Sequence, residues 1–235
     1  LSHGAAMSNK IWSDFFDNVL PEVPGCPQAY ATHQIRRSAI DFCGRSYAWL
    51  VDMTPISSGV NVPTYDFEIP TETEQVRVED MWYNGVRLLP KSPDELSIIY
   101  RNWPIEVGTP LYYLQPTPDT FTLVPMPDTA IAGAVTAKIS VKPTIDGTGI
   151  DPEVFSTWFD VIADGAKARI MATGKKPYTD VAMAKFYFGQ VEAGIGSANI
   201  VVGQGQTRAP LSTSIRDSYR GITEPPIKRI TNPSP

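Results

Sequence analysis

The chain has 235 residues, 42% of them hydrophobic and 19% charged, with a formal net charge of −5. That length supports one large domain or two small ones around a sizeable core, and the acidic balance excludes a general nucleic-acid binder, which carries a basic excess. Two cysteines, Cys26 and Cys43, are too few for a secreted disulfide framework, and no apolar run reaches the roughly 18 residues of a membrane span.

In chain order, residues 1–6 look like a leftover leader with Met7 as the natural start, and no charged-then-apolar signal pattern is present. Ile11, Trp12, Phe15, Phe16, Val19 and Leu20 predict a short amphipathic helix ending at Pro21. LPEVPGCP at 20–27 must be extended, since each proline biases its predecessor away from helix. A long helix is predicted over 27–50, with Ala31, Ile35, Ala39, Phe42, Cys43, Ser46, Trp49 and Leu50 on one face and an Arg37–Asp41 pair on the other. His33 falls off the apolar stripe and reads as a surface group.

From 52 to 146 the period changes to that of strands. Val60, Val62, Tyr65, Phe67 and Ile69 form one alternating segment; residues 75–82 form another, with Val76, Val78 and Trp82 inward. Asn84-Gly85 is a strong hairpin signal, and Ser92-Pro93-Asp94-Glu95 is a capping box that opens a short helix over 93–100. Further strands are expected at 111–114, 121–124 and 135–141.

Asp151 and Pro152 then start a helix that runs to about Thr173, as N-cap and first helical residue. Its apolar stripe is Val154, Trp158, Val161, Gly165, Ala168 and Ala172. Gly174-Lys175-Lys176-Pro177 stops it, and Thr179 or Asp180 caps the next helix. That helix carries two non-polar stripes. Val181, Ala184, Phe188, Val191, Ile195, Ala198 and Val202 form one; Ala182, Gly189, Ala193 and Gly196 form a small-residue stripe nearly opposite. Each interior glycine costs roughly 1 kcal/mol relative to alanine, so the small stripe suits close approach of another backbone. That backbone is either a neighbouring helix of the same bundle or another subunit.

After Gly203 the periodicity ends. The remaining residues are polar, proline-rich and basic: Arg208, Arg216, Arg220, Lys228 and Arg229 oppose Asp217 and Glu224, with Ile215, Tyr219, Ile222, Ile227 and Ile230 spaced between them. Cationic contacts interleaved with apolar anchors predict an arm that orders on a partner. The fold class expected is α+β: a helical bundle (27–51 plus 151–203) with an inserted antiparallel β-rich domain (52–150), an N-terminal leader and short helix (1–26) and an extended C-terminal arm (204–235).

No catalytic constellation stands out. Two isolated histidines do not make a metal site of the usual spacing, Gly147-Thr-Gly149 and Gly203-Gln-Gly205 lack the lysine and flanks of a phosphate loop, and Asp160/Asp164, Glu72/Glu74 and Glu79/Asp80 read as solvated charges. No cofactor and no enzymatic activity are expected.

Three stretches carry a family resemblance: VLPEVPGCP at 19–27, AIDFCGRSYAW at 39–49 and GKKPYTDVAMAKFYFGQVEAGI at 174–195. With the order helix, sheet-rich insertion, two helices, arm, the chain resembles, over roughly 19–203, the head-to-tail adaptor proteins of short-tailed bacteriophages, the family related to tail tubular protein A. The resemblance implies a structural virion protein at the head–tail junction, assembled in the host bacterial cytoplasm. It implies a homo-oligomeric ring of about a dozen copies under the portal protein, with tail nozzle or fibres docking below and genomic DNA passing through the lumen without specific binding. On this view Arg208, Ile215, Arg216, Tyr219, Arg220, Ile227, Lys228 and Arg229 belong to a portal-binding arm, and Ala182, Gly189, Ala193 and Gly196 to a subunit contact. Two alternatives are a tail-associated peptidoglycan or polysaccharide hydrolase, which needs a pair of carboxylates facing across a cleft, and another minor virion structural protein.

Overall fold

The computed structural model describes residues 9–204. In chain order, β1 (Lys10–Ile11) leads into a 3-10 turn and the single helical turn α1 (Phe16–Val19), and then into the long helix α2 (Gln28–Ser46). The strands β2 (Leu50–Asp52), β3 (Thr64–Asp66), β4 (Thr73–Tyr83), β5 (Val86–Arg87) and β6 (Leu89–Pro90) follow. After the short helix α3 (Pro93–Ile99) come β7 (Val107–Gly108), β8 (Tyr112–Thr117), β9 (Thr120–Val124), β10 (Met126–Pro127), β11 (Val135–Pro143) and β12 (Gly149–Ile150). Two long helices, α4 (Pro152–Met171) and α5 (Val181–Gln204), close the described chain. The fold class is α+β.

Two four-stranded sheets dominate the strand region. One has the order β2-β11-β4-β5 and is antiparallel throughout; the other has the order β3-β9-β8-β6, with β6 parallel to β8. Two small ladders join distant parts: β1 pairs with β12 antiparallel, and β7 with β10 parallel. The buried indole of Trp12 donates to the Gly147 carbonyl at 2.7 Å, which ties the start of the chain to the approach to α4.

The caps form where local chemistry places them. Asp151 accepts from the Glu153 and Val154 N–H groups at 2.8 and 3.3 Å, and Asp180 from Ala182 and Met183 at 3.0 Å each. The Ser92–Glu95 capping box is reciprocal. Asn84 and Gly85 both take positive φ (47° and 79°), as a tight hairpin between β4 and β5 requires.

One hydrophobic cluster runs from the bundle into the first sheet. Phe15 stacks on Phe159 at 5.1 Å and meets the edge of Phe155 at 4.9 Å. Ile35 and Phe42 of α2, Ile162 and Ile170 of α4, and Met81 and Ile139 of the sheet are essentially free of solvent. Each such side chain contributes roughly 1.5–3 kcal/mol of burial. Cys43 lies in the same cluster, fully buried; burial, with Asp151 adding to it, pushes its thiol well above the ordinary range. Leu96, Leu114 and Val124 form a separate small core beneath α3.

Several expectations are corrected. The first helical stretch is split between 3-10 and α turns and carries Pro21 inside its last turn. Helix α2 stops at Ser46 because Tyr47 turns left-handed (φ 55°), so Trp49 and Leu50 belong to the link and strand beyond it. Asp41 pairs with Arg45 (3.7 Å) and Arg169 (3.1 Å) rather than with Arg37. Val60 and Val62 are exposed and outside any strand; only residues 64–66 of that segment pair. In β4, Asp80 pairs with Lys138 but Val78 with Ile139, leaving Glu79 extra. That bulge reverses the strand's phase, so Met81 and Tyr83 point inward and Trp82 does not. Ala172, expected on the apolar stripe of α4, is exposed.

Candidate functional site on the last helix

Helix α5 packs on α4 and touches α2. Its inner face is Ala184, Tyr187, Val191, Ile195 and Ala198, all buried. Val181 and Phe188, expected there, are 58% and 40% exposed. Helix geometry gives the reason. At about 100° per residue, Tyr187 lies about 40° from the Val191 direction, whereas Phe188 and Val181 lie about 60° and 80° away on the other flank.

The close approach occurs on the inner side. A Cβ on Gly194 would sit 2.6 Å from both Val161 methyls, and one on Gly165 would sit 2.1 Å from the Ser38 hydroxyl. That hydroxyl donates to the Ile162 carbonyl at 2.7 Å, joining α2 to α4. Lys167 is buried in the same seam, 3.1 Å from Asp164 and 5.0 Å from the centre of the Tyr187 ring. The outer edge is tied by a bidentate Arg45–Glu192 pair at 2.7 and 2.6 Å. Hydrogen bonds from Arg45 hold the Glu192 carboxyl below the usual glutamate range. With its amide oriented to donate, Asn199 reaches the Arg45 and Ser46 carbonyls at the end of α2.

The small-residue face looks outward. Ala182, Gly189, Ala193 and Gly196 are all exposed, and a Cβ added at Gly189 or Gly196 would meet nothing within 4 Å. The fold adds members that the sequence reading omitted: Phe186 is 54% exposed and Ile200 51%, each on this face. With them the spacing alternates four and three residues from Ala182 to Gly203, the spacing of a helix–helix seam. Only Lys185 and Glu192 are charged in the whole helix, and Glu192 is engaged by Arg45. Its small members were legible in the sequence; Phe186 and Ile200 were not, because they interrupt the small-residue stripe.

A groove of about 350 Å³ opens where α5 ends. Trp49 and Leu50 form one wall, Val154 and Trp158 of α4 a second, and Val201 and Val202 a third. Asp52, Asp151, Glu153 and Lys138 stand at its rim. Backbone at Trp158 leaves helical values there (φ −121°, ψ 17°), and its ring meets Phe42 at 5.6 Å. No single stretch of sequence signals this groove, because its walls come from three separated segments.

Most of the acids singled out in the sequence hold structure, while Asp160 is exposed on α4. Glu72 accepts from the Thr148 N–H and hydroxyl (3.0 and 2.7 Å), Glu79 binds Arg77, Asp80 binds Arg87, Glu74 binds Lys142 and Asp164 binds Lys167. Among the described residues, no three His, Cys, Asp or Glu side chains are grouped to hold a metal, and no helix is long and apolar enough to cross a membrane. His33 is exposed on α2. The arm residues Arg208, Ile215, Arg216, Tyr219, Arg220, Ile227, Lys228 and Arg229, and the leader at 1–6, lie outside the described residues.

No family model matches the chain, and the search of curated proteins returns no match.

Proposed function

We propose that this chain is a structural subunit of a phage virion, a head-to-tail adaptor. Copies stand side by side in a ring beneath the portal, extend the DNA channel, and offer their lower face to the tail nozzle or fibres. The observation that carries the reading is the outer face of α5: an apolar, small-residue seam, with the exposed Lys185 beside it, on a helix whose inner face is already buried. Exposed apolar surface of this continuity marks an interaction site. Missing side chains at Gly189 and Gly196 leave room for a neighbour's backbone. A ring repeats one heterologous contact at every junction, which a single such face and its complement supply. The net charge of −5 suits a conduit, since a lysine-lined wall would hold phosphates through counterion release. The basic arm supplies the upward contact to the portal, and the family resemblance supports the same assignment.

The test is co-assembly with the portal protein of the same phage, read by negative-stain imaging and native mass. A ring of adaptor on portal is expected. Full-length chains carrying Gly189→Leu and Gly196→Leu should stay folded and fail to close the ring, and deletion of 208–235 should abolish portal docking. A wild-type chain that never binds portal, or leucine variants that assemble normally, would overturn the reading.

A further inference from the structure

The groove at the end of α5 has three properties that the ring reading does not use. The first is an open strand edge. β2 lies at the margin of its sheet. The Met53 N–H and the Trp49 carbonyl both bond to β11. Alternation along an antiparallel strand therefore turns the N–H and C=O groups of Leu50 and Asp52 away from β11, and these two residues line the groove. The second is charge. Three rim carboxylates, Asp52, Asp151 and Glu153, face one ammonium, Lys138. Lys138 stands directly across from Asp52 in the ladder. One oxygen of Asp151 is occupied in capping α4, and three carboxylates against one ammonium leave the rim net negative. The third is a pair of indoles in the lining, Trp49 and Trp158, in a volume at the low end of the roughly 300–1,000 Å³ of concave binding sites.

We propose that this groove is the seat of the chain's own residues 205–211, added as an extended segment along β2, with Arg208 at the carboxylate rim and Leu211 on the indole wall. The occupant follows from position and chemistry. Val201 and Val202, in the last turn of α5, form one wall, so the chain leaves Gln204 beside the groove. Four residues span at most about 14 Å, which sets the reach of Arg208 from Gln204. The segment reads Gly-Gln-Thr-Arg-Ala-Pro-Leu: a glycine to turn on, one cation, and apolar residues on either side of a proline. Strand addition uses main-chain hydrogen bonds for affinity and pockets for side-chain specificity. Pro210, which lacks an N–H, is tolerated at a sheet edge and blunts the new edge against further pairing. Seating the root of the arm would leave 213–235 to reach a partner from a fixed point. The inference rests on the groove and the adjoining sequence, independently of the ring.

Thr157→Cys combined with Leu211→Cys tests it, in the full chain and without portal. Cys26→Ser removes the half-exposed native thiol, and the buried Cys43 is left in place. Mild oxidation should give mainly an intrachain disulfide, migrating as a monomer on a non-reducing gel. A ladder of oligomers would assign the groove to a neighbouring copy's segment, and no cross-link would leave the groove unoccupied by it; either result overturns the proposal. As a second measurement, Arg208→Glu in the full chain should speed hydrogen exchange at the Leu50 and Asp52 amides about tenfold or more, and unchanged exchange there would also overturn it. Because portal is absent throughout, failure here leaves the portal assay untouched.

Discussion

Glycine-to-alanine substitutions along α4 and α5 should change sign with the side of the helix they sit on. Gly189 and Gly196 face open space: an added Cβ touches nothing within 4 Å. Neither has a positive φ, so alanine fits the backbone and recovers about 1 kcal/mol of helix propensity at each site. Gly194 gains the same propensity but drives its Cβ to 2.6 Å from two methyls of Val161, a side chain stiff at χ1. Overpacking of that kind costs about 1–3 kcal/mol, so the net change is a loss of up to about 2 kcal/mol. At Gly165 the new methyl would displace the Ser38 hydroxyl from the Ile162 carbonyl inside the core. A lost buried hydrogen bond adds about 1–3 kcal/mol to the strain. Thermal and urea unfolding of the isolated full chain read these differences. At this size 1 kcal/mol moves Tm by about 2–4 °C. Gly189→Ala and Gly196→Ala should therefore raise Tm by a few degrees, Gly194→Ala should lower it, and Gly165→Ala should lower it most. If Gly189→Ala destabilised the free chain as Gly194→Ala does, the outer face would already be packed within one subunit, and the reasoning would fail.

Two further predictions concern other elements. Ser92→Ala removes the capping box of α3 and should cost about 0.5–2 kcal/mol locally, seen as faster hydrogen exchange over residues 93–99 with little change in α4. The Arg45–Glu192 pair gives an acid-sensitive tie: the Glu192 carboxyl is held below its ordinary range in the folded chain, so its contribution is complete above that range and is lost as pH falls through the folded value. Glu192→Gln should lower Tm at neutral pH, and the gap to the parent chain should narrow on acidification; a gap that widened in acid would contradict the pairing.

Features encoded over a few residues were legible in the sequence. Asp151, Asp180, the Ser92–Glu95 box and Asn84-Gly85 each act on their immediate neighbours, and each forms as expected. Features that depend on a distant partner were not. The bulge at Glu79 exists only in the pairing of β4 with β11, and it exchanges Trp82 for Met81 and Tyr83 in the core. Tyr47 ends α2 in a conformation that glycine or asparagine would have announced and tyrosine did not. The small-residue stripe was visible, but the glycine that admits a close contact inside the subunit, Gly194, does so because Val161 faces it from another helix. Phe186 and Ile200 escaped notice because only the placement of Tyr187 inward fixes which way α5 is turned.

Cys43 gives the bundle a built-in clock. Its sulfur has no solvent contact and sits between helices and sheet, and both burial and the nearby carboxylate disfavour the thiolate that reagents attack. A thiol probe can reach it only when α2 lifts from its neighbours, so the speed of labelling measures how often the interior breathes. Counted on free chains and again on assembled particles, that speed would tell how far lateral company quiets each copy.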